Sequence, residues 1–152
     1  MTADVTDLTE NILAMLRKQH ADLLDPENFP PPVFTAMQGE FLDYDPEQSI
    51  LRVRFPVLKS WLNPYGLMQG GMVAAAIDNT IGPLSALIAP ANVTRYMDLK
   101  FSRAVTTEIG FITVVAQLVE RKNRWLTFTA EANNPQGQRL VRAKAKHWIL
   151  ES

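Results

Sequence analysis

One stretch constrains this chain more than any other: residues 63–78, N-P-Y-G-L-M-Q-G-G-M-V-A-A-A-I-D. A loop with Asn63, Pro64 and Gly66 runs into Gly70-Gly71, and an apolar, Ala-rich run follows. A helix that is apolar on every side is a buried helix, so the rest of the chain must enclose this one. Asp78 is then an anomaly, because a carboxylate among Val, Ala and Ile is costly unless something pairs with it or uses it. At the other end, Gly70 and Gly71 open the helix, where the first N–H groups have no internal partner. Glycine there lets a ligand approach the backbone closely. Free N–H groups at the positive end of the helix dipole suit an oxyanion.

Spacing adds a geometric constraint. Asp78 lies 78 − 70 = 8 residues beyond Gly70, a rise of about 12 Å along a helix. A reacting carbonyl must sit roughly 3 Å from both its base and its oxyanion donors. One helix cannot place its own Gly70 and Asp78 that way. Two antiparallel copies can, with Gly70 of one chain beside Asp78 of the other and two equivalent sites about a two-fold axis.

The flanks predict what encloses the helix. Leu8, Ile12, Leu13 and Leu16 recur at helical spacing over residues 6–20, with Thr6 or Asp7 as the N-cap. Residues 25–32, with Pro26, Pro30, Pro31 and Pro32, read as an extended linker. Residues 35–44 and 49–57 read as a hairpin turned by Asp45-Pro46-Glu47-Gln48. The central helix starts at Gly70, is kinked at Gly82-Pro83 and ends near Ile88. Four strands follow, over residues 93–103, 110–120, 124–133 and 138–150, with turns at Lys122-Asn123 and at Asn134-Pro135-Gln136-Gly137. Leu126, Phe128, Ala130 and Ala132 share one face, as do Val141, Ala143 and Ala145, while Arg142, Lys144 and Lys146 lie opposite. Two strands, one buried helix and four more strands predict an α+β domain, an antiparallel sheet curled around one helix.

Here the residues carry a family resemblance. Asn63-x-x-Gly66-x-x-Gln69-Gly70-Gly71, then Asp78, then Val93-Thr94 leading to Phe101-Ser102-Arg103, resembles the hotdog-fold acyl-CoA thioesterases of the phenylacetate-pathway type over roughly residues 33–150. The resemblance implies a hotdog domain over residues 33–152, preceded by a helix and Pro-rich linker over residues 1–32. It implies that Asp78 acts as base to a water or as nucleophile, that Gly70 N–H donates to the oxyanion, and that Asn63 positions the water or the ligand carbonyl. Gln69, Gly71 and Thr94 would contact substrate, with Thr94 reaching the site from the partner chain, and the protein would work as a homodimer or homotetramer. Many members carry His where this chain has Gln69. Gln can exchange hydrogen bonds but cannot shuttle a proton.

Each candidate also has an ordinary structural reading. Asp78 could satisfy a local backbone group, Gly70-Gly71 could be a plain loop-to-helix junction, Asn63 a turn residue before Pro64, and Thr94 a strand former. His20 and His147 lie on different elements without acidic or His company at ligand spacing, so structural roles are expected for both and no metal site. Met68 and Met72 fit an adaptable acyl groove or simple core packing. Arg103, Lys122 and Arg124 are candidates for the phosphates of coenzyme A.

Other classes are disfavoured. The chain has 152 residues, a net charge of −1 and no cysteine, which points to one domain without a thiolate site and gives no sign of nucleic acid or an anionic membrane as partner. Asp4, Asp7 and Glu10 with no long apolar run argue against a signal peptide, and no unbroken apolar stretch approaches a membrane span. A cytoplasmic location follows by default. There is no Gly-x-Ser-x-Gly elbow and no phosphate loop. The expected function is hydrolysis of acyl-CoA without metal or other cofactor. The alternative is a non-catalytic acyl-CoA binding module of the same fold, and a hotdog dehydratase is a third option that needs a well-placed His or acid pair.

Overall fold

A computed structural model describes residues 4–150. Three helices, α1 (Val5–Gln19), α2 (Pro32–Ala36) and α3 (Gly70–Ile88), accompany six strands: β1 (Glu40–Asp45), β2 (Ile50–Pro56), β3 (Asn92–Phe101), β4 (Phe111–Lys122), β5 (Trp125–Asn133) and β6 (Arg139–Ile149). The strands form one antiparallel sheet in the order β1-β2-β4-β5-β6-β3. The sheet wraps α3, which packs mainly on β2, β4 and β5. This is the hotdog architecture.

The sheet can hold the helix closely because its inner face is small where the helix lies. Ala116, Ala130, Ala132, Ala143 and Ala145 are buried there, facing Val73, Ala76, Ile77, Ile81 and Leu84 of α3. By length and mean hydropathy, 1.3 over the best window, α3 would also pass as a membrane span. Here its apolar faces are taken up by the sheet. Arg142, Lys144 and Lys146 stand on the outer face of β6, alternating with buried Val141, Ala143 and Ala145.

Four local expectations are corrected. The N-cap of α1 is Asp4, whose Oδ1 accepts from Thr6 N at 3.2 Å, so Thr6 and Asp7 lie inside the helix. Residues 25–32 are not simply extended: Asp25 caps a 3-10 turn over Pro26–Asn28, and Pro32 starts α2 at the position where a missing N–H costs nothing. Residues 35–39 are therefore not strand. Phe34 and Met37 are driven into the core instead, with Phe34 stacked on Phe41 at 4.9 Å and edge-on to Phe55. Gly39 is required at this crossing, because a Cβ there would stand 2.6 Å from the Phe34 ring. Finally, Gly82-Pro83 does not interrupt α3, which is continuous to Ile88. Pro83 removes one ladder bond, while burial of Leu84 and Leu87 and a bond from Ser85 Oγ to Gly82 O at 2.7 Å hold the turn.

The two sheet edges differ. α1 packs along β1, and Thr9 Oγ1 accepts from Phe41 N at 2.9 Å. The β3 edge has no such cover within the chain and carries exposed Val93, Tyr96 and Phe101.

Candidate active site

The loop before α3 is pinned amide by amide. Asn63 Oδ1 accepts from Tyr65 N (2.9 Å) and Leu67 N (3.1 Å), and Asn63 O accepts from Gly66 N. Gly66 has φ 78°, which glycine adopts without strain. Met68 N donates to Val105 O and Gln69 N to Trp61 O, both at 2.8 Å, while Met72 N and Val73 N turn back to Gln69 O. From Tyr65 to Val73, among the described residues, only the Gly70 and Gly71 amides lack an acceptor. They are adjacent, exposed and at the positive end of a 19-residue helix.

Asn63 thus spends its side-chain oxygen on the turn, as its ordinary reading expects, and its amide nitrogen has no acceptor in the chain. Gln69 is the N-cap residue, yet its exposed side chain makes no capping bond. A cavity of about 280 Å³ opens beside Gly70, lined by Asn63, Met68, Val73, Phe101 and Arg103 among others. Met68 is buried and Met72 half-buried against the core.

Asp78 sits two turns further along α3. It is exposed in the single chain, so the cost of burying it, which made it conspicuous in the sequence, is not incurred within one chain. Its partners come from the sheet. Thr94 Oγ1 donates to Asp78 Oδ1 at 3.3 Å, and the same hydroxyl lies 3.2 Å from His147 Nε2. His147 Nδ1 is 2.8 Å from Asn92 Oδ1. Asn92 Nδ2 donates to Pro90 O at 2.9 Å, which turns its oxygen toward the imidazole and makes Nδ1 the protonated ring nitrogen. Burial pushes the His147 pKa below its ordinary 6.5, and the charge of Asp78 acts in the opposite direction.

Two expectations change here. Thr94 does not stand opposite Asp78 only across a partner: it bonds the Asp78 of its own chain. His147 is no isolated structural histidine, but the second member of the support behind Asp78. The register explains both. Thr94 pairs with His147 across β3 and β6, and the ladder slips between Thr94 and Tyr96, leaving Arg95 as the extra residue of a bulge. Bulges re-aim side chains and are frequent next to active sites. The signal available in the sequence was an unpartnered His on an alternating strand, too weak to be read without that register. His20, by contrast, has a purely local task described below.

The Gly70 and Asp78 ends open into separate cavities. Asp78 and Thr94 form part of the wall of a larger one, of about 530 Å³. Among the basic candidates, Arg103 lines the Gly70 cavity. Arg124 donates from Nε to Ile149 O and lies 4.6 Å over the Trp148 ring.

No protein-family model and no curated protein matches the chain. Solved structures do. A putative thioesterase of Ralstonia eutropha JMP134, described as related to phenylacetic acid degradation, is 22% identical over 89% of this chain and 98% of its own, with a TM-score of 0.74. The Escherichia coli PaaI protein of the phenylacetic acid degradation operon is 17% identical over 92% of this chain and 97% of its own, with a TM-score of 0.76. The protein smu.793 of Streptococcus mutans UA159, solved with acetyl-CoA bound, is 16% identical over 74% of this chain and 88% of its own, with a TM-score of 0.67. The element order, the enclosed helix and these likenesses agree: the chain has the hotdog fold of the PaaI-like thioesterases.

Proposed function

We propose that the protein hydrolyses acyl-CoA thioesters in a homodimer, with each site shared between chains. The observation that carries this is the pair of unpartnered amides at Gly70-Gly71 in a loop where every neighbouring amide is bonded. Such preorganised donors stabilise the charge of a tetrahedral intermediate. The roughly 12 Å rise from Gly70 to Asp78 on one helix requires a second chain to bring a carboxylate to that oxyanion. The exposed face of α3 suits such pairing, since residues 70, 74, 78 and 82 recur every fourth position as Gly, Ala, Asp and Gly. The uncovered β3 edge offers a second contact, because an unpaired edge is a template for another strand. Pairing of two dimers into a tetramer is compatible with this arrangement.

The chemistry then follows. A water gives a proton to Asp78 of one chain as its oxygen attacks the thioester carbon. The carbonyl oxygen takes the electron pair and is held by Gly70 N–H, with Gly71, of the other. The intermediate collapses, the C–S bond breaks, and coenzyme A leaves as a thiolate that regains a proton from Asp78 or solvent. Thr94 and His147 hold the carboxylate in place. A thiol pKa of about 8.5 means that the leaving group needs no dedicated acid, which fits Gln69 where relatives carry His. Gln69 would bond the ligand, and Asn63 Nδ2 would join it. Arg103 at the Gly70 cavity is our choice for a phosphate of coenzyme A. A cytoplasmic setting goes with this reading.

The test is Asp78→Asn, which keeps shape and removes the base. Over a panel of acyl-CoAs it should lose about 10²- to 10⁴-fold in kcat; turnover equal to the wild type rejects the role of Asp78. A second reading, an acyl-CoA binding module without turnover, draws on the unbonded Gln69. Calorimetry with a non-hydrolysable acyl-CoA beside the turnover assay separates the two. Dehydratase chemistry is disfavoured, because His147 is 2% exposed with both ring nitrogens engaged.

A further inference from the structure

The larger cavity lies between the N-terminal segment and α3. Native interiors leave few voids larger than a water molecule, so about 530 Å³ is not packing slack. It falls within the range of small-molecule pockets. One wall carries Asp78 and Thr94 of the site just described; the facing wall comes from α1 and the segment after it, with Leu13, Leu16, Leu23 and Phe29.

The polar groups along that wall are largely turned to internal partners. Residue 90 is Pro, so Ala86 O lacks its ladder donor, and His20 Nε2 supplies one at 2.7 Å. Asn28 Nδ2 donates to Asp25 Oδ2 at 2.8 Å, and Ser85 Oγ to Gly82 O. What remains toward the cavity is mainly hydrocarbon, with the carboxylate at one side. The roof is fastened at two points, Thr9 to the β1 backbone and His20 to α3.

We infer that α1 and the segment after it form the acyl pocket, and that the substrates are thioesters of extended or aromatic apolar acids rather than short or polar ones. This rests on the reading of Asp78 as the group at the thioester carbon. A carbonyl beside Asp78 leaves the acyl group to run beneath α1, away from solvent.

The experiment compares kcat/KM for acetyl-, decanoyl- and phenylacetyl-CoA in the wild type, in Ala86→Phe, which fills the cavity from α3, and in Leu23→Gln, at a 68% exposed position on its wall where folding is not at stake. At least one apolar thioester should exceed acetyl-CoA by about 100-fold or more, since each methylene in an apolar pocket is worth about 10-fold or more. That ratio should fall at least about 10-fold in Ala86→Phe and less in Leu23→Gln. The ratio cancels any general loss of folded enzyme, and whichever arm falls further tells a chain from a ring. Equal turnover of all three thioesters, or ratios unchanged in both variants, overturns the inference. Calorimetry with decanoate and phenylacetate provides the independent readout. Binding that Ala86→Phe and Leu23→Gln weaken, in a protein that turns over no thioester, keeps the pocket and rejects the hydrolytic reading. Carboxylate binding that is absent, or indifferent to both variants, overturns the pocket itself.

Discussion

The two ends of the α3 face are built in opposite ways. At Gly70 the working groups are backbone amides, exposed because their neighbours are all bonded elsewhere. At Asp78 the working group is a side chain, held by a relay of side chains from two strands. The first needs only that the loop keep its shape, and tolerates many side chains. The second depends on register, and fails if β3 slips by one residue against β6. The difference teaches where substitutions should act: by deleting an N–H at one end, and by changing a side chain at the other.

The largest effect is that of Asp78→Asn, given above. Gly70→Pro should come next. Proline removes the N–H while suiting the first position of a helix, and the preceding Gln69, at φ −56° and ψ 134°, already has the extended conformation that proline demands. We expect a kcat loss of about 10²- to 10³-fold with an unchanged melting temperature. Gly70→Ala is the control: its Cβ would meet Phe101 at an ordinary 3.6 Å and the N–H remains. A Gly70→Pro enzyme as active as Gly70→Ala would show that the amide does nothing.

Gln69→Ala should cost less, about 10-fold for one lost hydrogen bond to the ligand. Since the Gln69 side chain makes no capping bond, melting should not change. Gln69→His should be tolerated; a large gain, with a new ionisation near pH 6.5, would reveal a lost proton role.

The smallest effect is in stability. His147 has a lowered pKa in the fold, so at acid pH the unfolded chain binds a proton that the folded one refuses. The stability that neutral His147 contributes is complete above its ordinary 6.5 and is lost as pH falls toward the folded value. Urea midpoints at about pH 7.5 and pH 5 should therefore differ less in His147→Gln than in the wild type. An equal or steeper fall in the variant would contradict the shift.

The Gly70 end was legible in the sequence because a loop entering a helix is local: Asn63, Gly66 and the glycine pair announce it by spacing. The strands after Pro90 were legible because alternation shows which side chains face inward. The support behind Asp78 was not. Thr94 is 16 residues from Asp78, and His147 another 53 from Thr94, joined only by a register with a bulge at Arg95. The continuity of α3 through Pro83 was hidden for a different reason: burial of Leu84 and Leu87 outweighs one missing bond, and propensity does not carry that information. The N-terminal segment read as a linker because prolines mark turns and extension alike, whereas Phe34 and Met37 belong to the core.

The central claim is that each site takes Gly70 from one chain and Asp78 from the other. Mixing two inactive variants tests it directly. When Asp78→Asn and Gly70→Pro chains are unfolded together and refolded at equal amounts, half the dimers should be mixed, and each mixed dimer carries one site with both groups intact and one with neither. The account predicts recovery to about one quarter of wild-type activity. Sites contained within single chains would give no recovery at any mixing ratio, and that result would contradict it.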